Sequence, residues 1–414
     1  MTDKKKGISR RNFLSGAISG VVSFGMLGMT EKSKTSINSK AFGFNSEDKI
    51  IYRTLGKTGI KVPVVSMGVM NTGDTALMKM AFELGIRHFD TAVTYGRGRS
   101  EQELGRVMKE LDARNDFIIT TKIPHITPSV LYQMEAEQVE DYLLKIFDQC
   151  FERLQTNYID IICLHDVHDA QYLRNGGFRR AFEKLKNQKK VRGIGFSTHT
   201  NMVECLNEAA RDGFYDVVLT AFNYSMHENR DLIKSMEKAA AKGIGIIAMK
   251  TQCSQPWYRD DEAANKQWLY DGKIIHTALL KWVLRHNFIT TAIPGVQNFQ
   301  ELEEDFSVAF DLEYTKEEKK FLQDRNIKLG MASVYQQCYA CVPTCPKGVD
   351  IPTLIRTHMY ATCYTNFYQA RDTLDEIPRG KGLDACVSCE TFRVKCVNRV
   401  DIGKRIDELK TIYV

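Results

Sequence analysis

The sequence lacks the compositional biases that mark several classes of protein. Only 9 of its 414 residues are proline and 28 are glycine, far fewer than a collagen repeat needs. Apolar residues make up 43% and charged residues 26% of the chain, which excludes an intrinsically disordered protein. Long apolar runs are also missing, which excludes a polytopic membrane protein. The composition is that of a globular protein, and the length accommodates a large barrel with a second domain.

Most of the chain carries no net charge. The formal charge of +6 is carried by residues 1–41, which hold eight basic and two acidic side chains. The remaining residues hold 49 of each sign. Because nucleic-acid-binding proteins usually present a basic surface, the composition gives no support for a nucleic-acid partner.

Residues 1–41 have the pattern of a targeting segment. Basic residues precede Ser9–Leu14, which contains the pair Arg10 and Arg11, and a short apolar, glycine-rich run follows. This order resembles the twin-arginine export signal, and Ser39–Ala41 offers small residues for cleavage. The apolar run is too short for a good membrane span. We therefore expect the export machinery as a partner, a periplasmic location and no stable membrane span in the mature chain.

The body of the chain alternates short β-branched runs with amphipathic segments of helical length. This alternation predicts a (β/α)8 barrel over residues 42–318, opened by a hairpin that turns at Gly56 and Gly59. Residues 319–414 contain seven of the eleven cysteines and predict a second, Cys-rich helical module. Since the barrel would supply its own core, we expect this module to be dispensable for barrel folding. The predicted strands are Val64–Met67, Ile86–Asp90, Phe117–Lys122, Ile159–His165, Gly193–Ser197, Val217–Phe222, Gly245–Lys250 and Thr290–Pro294.

Polar residues recur where the predicted strands end, and barrel enzymes build their active sites at those ends. Several of these segments, taken in order and spacing, resemble the aldo-keto reductase family over roughly residues 50–306. The segments that carry the resemblance are Arg53–Gly59, His88–Ala92, Tyr95–Gly96, Lys122, Leu164–Asp166, Gly193–Ser197 and Ile293–Gly295.

The resemblance implies a catalytic tetrad of Asp90, Tyr95, Lys122 and His165. Carbonyl reduction by hydride needs a proton donor near the substrate oxygen and a means of stabilising negative charge there. A tyrosine has an ordinary pKa of about 10, and a nearby ammonium group lowers it. We therefore expect Lys122, held by Asp90, to lower the pKa of Tyr95. Tyr95 would act as acid or base, and His165 would bind the substrate oxygen.

The resemblance also implies a nicotinamide cofactor, NAD(P)(H). Thr198 and Asp305 each stand where the family usually has an asparagine, so the cofactor contacts depart from the common pattern. Glu301 would repel a 2′-phosphate but accept a hydrogen bond from a free ribose hydroxyl. We therefore expect no preference for NADPH over NADH. The residues that the resemblance places against the cofactor are Ser197, Thr198, Met249, Lys250, Pro294, Gly295, Glu301 and Asp305.

The cysteines of the last module follow the spacing of a two-cluster bacterial ferredoxin. In this chain, however, Tyr335 and Phe392 stand where the pattern has a cysteine, and Val397 stands where it has a proline. Because the last cysteine of each ferredoxin motif serves the other cluster, two sets of three thiolates result. Iron–sulfur members of the aldo-keto reductase family have a similar tail. The two sets are Cys338, Cys341 and Cys396, and Cys386, Cys389 and Cys345.

Three interpretations of these cysteines stay open at the level of the sequence. One is an iron–sulfur cluster, of the 4Fe-4S type, with ligands from both motifs. Another is a structural zinc site on Cys338, Cys341, Cys386 and Cys389. The third is disulfide bonding in an oxidising compartment.

The sequence thus predicts an exported oxidoreductase that interconverts a carbonyl and an alcohol on a small aldehyde, ketone or sugar-like substrate. An electron-transfer partner would suit an iron–sulfur tail. The alternative is an exported binding or electron-relay protein that retains the barrel without nicotinamide turnover. The complete tetrad favours the enzyme.

Overall fold

The structure is a computed structural model that describes residues 49–252, 274–332, 336, 338–387, 389, 394–398 and 400–414. The predicted targeting segment, residues 1–41, lies outside the described residues. Among the helices of the described part, none is long and apolar enough to cross a membrane. Residues 50–414 belong to one compact unit.

Eight parallel strands form a barrel, as the sequence predicts. Each strand pairs with the next along the chain, and bridges from Val65 to Ala292 and from Gly68 to Gly295 join the first strand to the last. Their apolar and β-branched residues are buried on both faces, as a covered parallel sheet requires. The strands are β3 (Met67–Gly68), β4 (His88–Asp90), β5 (Ile118–Ile123), β6 (Ile159–Leu164), β7 (Val191–Thr198), β8 (Val217–Ala221), β9 (Gly245–Met249) and β10 (Ile289–Ala292).

The predicted opening hairpin is also present. Strands β1 (Tyr52–Thr54) and β2 (Lys61–Pro63) pair in antiparallel fashion. Gly56 and Gly59 have φ angles of 50° and 71°, a left-handed conformation that favours glycine, so the turn lies where the sequence places it.

Helices cover the barrel, and their ends carry ordinary capping signals. The longest barrel helix, Ala136–Leu154, begins with a capping box formed by Glu135 and Gln138 and ends at Gln155 in the left-handed region. The helices of residues 75–307 are α1 (Thr75–Leu84), α2 (Arg99–Glu110), α3 (Pro128–Leu131), α4 (Ala136–Leu154), α5 (Ala170–Leu173), α6 (Gly176–Asn187), α7 (Met202–Asp212), α8 (Arg230–Ala241), α9 (His276–Leu284) and α10 (Phe299–Ser307).

The C-terminal residues form further helices that pack on the barrel. Their apolar core includes the barrel residues Tyr224, Ala278 and Leu279 as well as their own. The expectation of a module that is dispensable for barrel folding is therefore not supported, since its removal would expose barrel core. The boundary expected at residue 318 falls inside a helix. The helices are α11 (Lys316–Gln323), α12 (Arg325–Ala332), α13 (Ile351–Thr362), α14 (Phe367–Asp375), α15 (Leu383–Val387) and α16 (Ile402–Tyr413).

Candidate active site

The ends of β4, β5 and β6 bring the four predicted catalytic residues together. The Lys122 ammonium forms a buried ion pair with Asp90 and donates a hydrogen bond to the Thr91 carbonyl oxygen at 2.8 Å. The same Nζ atom lies 3.3 Å from the Tyr95 hydroxyl oxygen. The rings of Tyr95 and His165 meet edge to face, with their centroids 5.7 Å apart. A phenol, an ammonium group and an imidazole thus meet at one point of the barrel mouth.

The pKa expected for Tyr95 is wrong for this arrangement. Burial, reinforced by the negative charges of Asp90 and Asp166, raises the pKa of Tyr95 well above its ordinary value. The Lys122 ammonium is already paired with Asp90, so its charge does little to favour a phenolate. Tyr95 is therefore a protonated phenol at neutral pH, which can donate a proton or a hydrogen bond to a substrate oxygen.

His165 is neutral in this environment. Burial, together with the charge of Lys122, lowers the pKa of His165 to about 3. Its Nδ1 atom lies 3.2 Å from Thr94 Oγ1. If the Thr94 hydroxyl donates to Nδ1, the imidazole proton resides on Nε2, where it can be donated to a substrate oxygen. The substrate-binding role of His165 stays a prediction, for which this arrangement leaves a donor available.

A cavity of about 470 Å³, called here the cofactor cavity, adjoins the tetrad and is lined by Asp90 and Tyr95. His199 and Thr251 also line it, and among the described residues His199 Nδ1 and Thr251 Oγ1 are buried without a hydrogen-bond partner. Unpaired buried polar atoms fit a polar ligand that would satisfy them. Six of the eight predicted cofactor residues line this cavity, and they are Met249, Lys250, Pro294, Gly295, Glu301 and Asp305.

The other two predicted cofactor residues are not on the cavity wall. Ser197 Oγ accepts a hydrogen bond from the backbone N–H of Asp166 at 2.9 Å, and the Thr198 hydroxyl donates to the Thr200 carbonyl oxygen at 2.8 Å. Both side chains are fully buried. They stabilise neighbouring strand-end loops in this structure and do not form the amide clamp that the resemblance implies.

Glu301 lines the cavity but is already engaged in capping. Its carboxylate accepts hydrogen bonds from Gln297 N and Asn298 Nδ2, both at 2.8 Å, at the beginning of α10. A ribose hydroxyl would have to share these oxygens. Burial raises the pKa of Asp305 to about 8, while a hydrogen bond from Gln252 opposes the shift, so this carboxyl group is largely neutral near pH 7.

The sequence did not identify the C-terminal residues that close this site. Helix α13 places Arg356 2.5 Å from Asp166 Oδ2, and Asp166 directly follows His165. Tyr360, one turn later, accepts a hydrogen bond from Lys250 Nζ at 3.3 Å and lines the cofactor cavity. One signal was available, because Arg356 and His358 are the only basic residues of Ile351–Thr362 and the segment contains no acidic residue. A buried charge in such a helix requires a partner.

The charged side chains around Arg356 shift one another's pKa values. Burial lowers the pKa of Lys250 to about 7, and the nearby Arg356 contributes to the shift. Burial opposes ionisation of Asp166, but Arg356, His168 and His199 outweigh it and hold the pKa of Asp166 well below its ordinary value. Burial raises the pKa of Glu376, at the end of α14, to about 7. The Arg356–Asp166 pair is thus ionised at neutral pH.

Some of the tail cysteines lie close enough to influence one another electrostatically. Burial raises the pKa of Cys386 to about 11, and the nearby Cys345 and Cys389 contribute. Burial raises the pKa of Cys396, to which Cys338 contributes. However, the described residues contain no group of three or more Cys, His, Asp or Glu side chains arranged to hold a metal. The choice between a cluster, zinc and disulfides therefore stays a prediction.

Comparisons with known proteins agree with the geometry. Residues 69–267 match the sequence model of the aldo/keto reductase family. The chain is 28% identical to L-galactose dehydrogenase of Arabidopsis thaliana over 293 residues, which cover 64% of the chain and 90% of the relative. It is 24% identical to L-glyceraldehyde 3-phosphate reductase of Escherichia coli O157:H7 over 337 residues, covering 69% and 94%.

Solved structures resemble the chain in fold. The holo form of an aldo-keto reductase from Bacillus halodurans is 22% identical and has a TM-score of 0.54, covering 70% of this chain and 99% of that protein. An aldo/keto reductase from Klebsiella pneumoniae, in complex with NADP and acetate, is 20% identical with a TM-score of 0.51, covering 68% and 96%. At these identities the likeness establishes the barrel fold.

Proposed function

We propose that the chain interconverts a carbonyl and an alcohol on a small, sugar-like substrate with a nicotinamide cofactor, because residues 69–267 of the barrel match the aldo/keto reductase family model. That the chain is an oxidoreductase follows from the family and from its named dehydrogenase and reductase relatives. The observation that carries the proposal is the Tyr95 hydroxyl, 3.3 Å from Lys122 Nζ and beside His165 at a cavity wall.

Each residue of the tetrad has a chemical task in this proposal. The bound cofactor supplies the hydride to the carbonyl carbon or accepts it from the alcohol. In the reducing direction Tyr95 donates its hydroxyl proton to the substrate oxygen, and in the oxidising direction it accepts that proton. Lys122 Nζ donates a hydrogen bond to the Tyr95 hydroxyl oxygen at 3.3 Å and so orients the hydroxyl toward the substrate. His165 orients the substrate oxygen by donating a hydrogen bond from Nε2.

The form of the cofactor is part of the proposal. We propose that NADH serves at least as well as NADPH, since Glu301 lines the cofactor cavity and the family resemblance places it near the 2′ position of the ribose. The relative from Klebsiella pneumoniae binds NADP, so the choice is open to experiment. Met249 and Lys250 would contact the cofactor from the end of β9.

An activity assay separates the enzyme from the binding protein that is the alternative. Purified protein is incubated with NADH or NADPH and a panel of aldehydes, ketones and sugars, and alcohol formation is measured beside nucleotide oxidation. Equal amounts of oxidised nucleotide and alcohol support the proposal. If the nucleotides bind tightly but no substrate of the panel is converted in either direction, the binding protein becomes the better interpretation.

Two further proposals concern residues 1–41 and the C-terminal cysteines, which lie outside the barrel. We propose export by the twin-arginine pathway, which is tested by fractionating cells that produce the chain with Arg10→Lys and Arg11→Lys.

For the tail cysteines, the iron–sulfur cluster, zinc and disulfides remain alternatives. Protein purified without oxygen distinguishes them. A cluster gives brown protein with iron and sulfide, zinc gives one bound zinc per chain, and disulfides give neither metal and fewer than eleven titratable thiols.

A further inference from the structure

A second cavity also reaches Tyr95. It has a volume of about 470 Å³ and shares five lining residues with the cofactor cavity, which are Met70, Asn71, Tyr95, Gln297 and Tyr364. Its other walls come from the loop after β3, from α2 and the residues just before it, and from the segment that leads into α14. The cofactor cavity contains six of the residues expected to contact the nucleotide. A substrate whose carbonyl reaches Tyr95 therefore has room for its remaining atoms in the second cavity.

The walls of this second cavity combine aromatic faces with polar groups. Phe367 and Tyr368 line it and are 53% and 75% exposed. Arg99 and Glu103, one turn apart on α2, line it as well. Within the part of the chain that the structure describes, neither side chain makes a hydrogen bond or an ion pair within 4 Å. Two aromatic rings and two charged groups of opposite sign thus face one space.

This set of side chains suits a neutral ligand with many hydroxyl groups. A hydrocarbon would leave the charged groups desolvated without partners, which is unfavourable. Glu103 would repel an anionic ligand, and Arg99 would repel a cationic one. A sugar offers hydroxyls that both donate and accept, and C–H faces that pack against aromatic rings.

The loop that presents the aromatic residues is held in place. Asn366 donates from Nδ2 to Asn71 Oδ1 at 3.1 Å, and its Oδ1 accepts from Gln369 N at 3.0 Å at the start of α14. Thr365 adopts a φ angle of 49°, in the left-handed region that β-branched residues disfavour. A binding loop fixed before the ligand arrives loses less conformational entropy on binding.

We propose that the C-terminal helices supply a carbohydrate subsite beside Tyr95, in which Phe367 and Tyr368 pack against the sugar and Arg99 and Glu103 hydrogen-bond to its hydroxyls. The inference rests on the proposed function, since it names the part of the substrate that lies away from the reacting carbonyl. It assigns the tail a role in substrate recognition, independent of any metal.

The test compares a sugar with a carbonyl too short to fill the subsite. Galactose oxidation and propanal reduction are measured for the wild type, Phe367→Ala, Tyr368→Ala and Glu103→Gln. Tyr52→Ala is the matched control, because Tyr52 is 45% exposed and lies on β1, at the opening hairpin. Saturation-transfer NMR with galactose measures binding to each protein without turnover.

The ratio of kcat/KM for galactose to that for propanal should fall about tenfold in the aromatic variants, mainly through a higher KM for galactose. The control should retain the wild-type ratio. Equal losses for both substrates, or an unchanged ratio, would overturn the subsite. If the wild type converts neither substrate, the proposed function fails. Galactose binding that Tyr368→Ala weakens would still support the subsite, and absence of galactose binding to the wild type would overturn it.

Discussion

Arg356 of helix α13 lies 2.5 Å from Asp166, the residue that follows His165, and its guanidinium is 2% exposed. A helix from the C-terminal region therefore enters the mouth of the barrel and fixes the loop after β6. The same helix places Tyr360 beside Lys250 on the cofactor cavity. The barrel and the C-terminal helices consequently build one active site.

Replacing Arg356 with methionine should destabilise the protein strongly. The substitution leaves Asp166 charged and buried without its main partner, and such losses cost about 3–5 kcal/mol. We expect a lower midpoint of urea unfolding and a reduced kcat, because the His165 loop loses its anchor. Unfolding followed by circular dichroism, with kcat measured well below the new midpoint, checks both effects.

Arg174→Met serves as the control for that experiment. Arg174 is also paired with a carboxylate, Glu208, but its side chain is 55% exposed, and Glu208 has a second partner in Arg211. Glu208 therefore stays paired in Arg174→Met, and the loss of stability should be small. If both variants unfold at the same urea concentration, the Arg356–Asp166 pair is not an anchor of the active site.

The carboxyl group of Asp305 should make stability depend on pH. Burial raises the pKa of Asp305 from 3.8 to about 8 in the folded state. The folded protein therefore holds this proton more tightly than the unfolded chain. The resulting stabilisation is complete below the unfolded pKa and is lost as the pH rises through about 8. We expect Asp305→Asn to gain stability over the wild type between about pH 4 and pH 9, by at least about 1 kcal/mol.

The measurement is the free energy of unfolding of both proteins at several pH values. Asp148→Asn is the control, since the Asp148 side chain is 69% exposed. A difference between Asp305→Asn and the wild type that stays constant with pH would show that Asp305 is ionised throughout, contrary to the burial argument.

Glu301 should govern the choice of nucleotide and the stability of α10 together. Glu301→Arg replaces repulsion of a 2′-phosphate by a charge-assisted hydrogen bond, so the preference should shift toward NADPH. It also removes the capping contacts to Gln297 and Asn298, which should cost about 1 kcal/mol. Glu301→Gln retains hydrogen-bonding atoms for the cap and separates the two effects. Titrations with both nucleotides measure the preference, and a strong wild-type preference for NADPH would contradict the assignment.

The sequence predicted the barrel and the tetrad because both depend on local patterns. Buried β-branched runs such as Ile159–Leu164 can be recognised one strand at a time. Asp90, Lys122 and His165 lie at ends of neighbouring strands, and parallel strands bring these ends to one rim. The family resemblance and the positions of these strand ends together predicted that the three candidate catalytic groups lie near one another.

The rest of the site depends on contacts between distant parts of the chain. The Arg356–Asp166 pair joins residues that are 190 positions apart, and no local pattern predicts such a pairing. Ser197 was expected on the cofactor, but its hydroxyl is taken by the backbone of Asp166. The pKa of Tyr95 was expected to fall, but burial outweighs a Lys122 charge that Asp90 already neutralises. Each of these outcomes is decided by tertiary packing.

The central claim is that the Tyr95 hydroxyl transfers the proton in carbonyl reduction. The most direct test is the rate of alcohol formation by Tyr95→Phe at saturating nucleotide, with nucleotide binding measured on the same sample. Tyr215→Phe is the control, because it removes another buried hydroxyl, which donates to the Leu173 carbonyl oxygen away from the tetrad. We predict that Tyr95→Phe binds nucleotide normally but loses at least about a hundredfold in rate, while Tyr215→Phe reacts like the wild type. A Tyr95→Phe variant that forms alcohol at the wild-type rate would contradict the account.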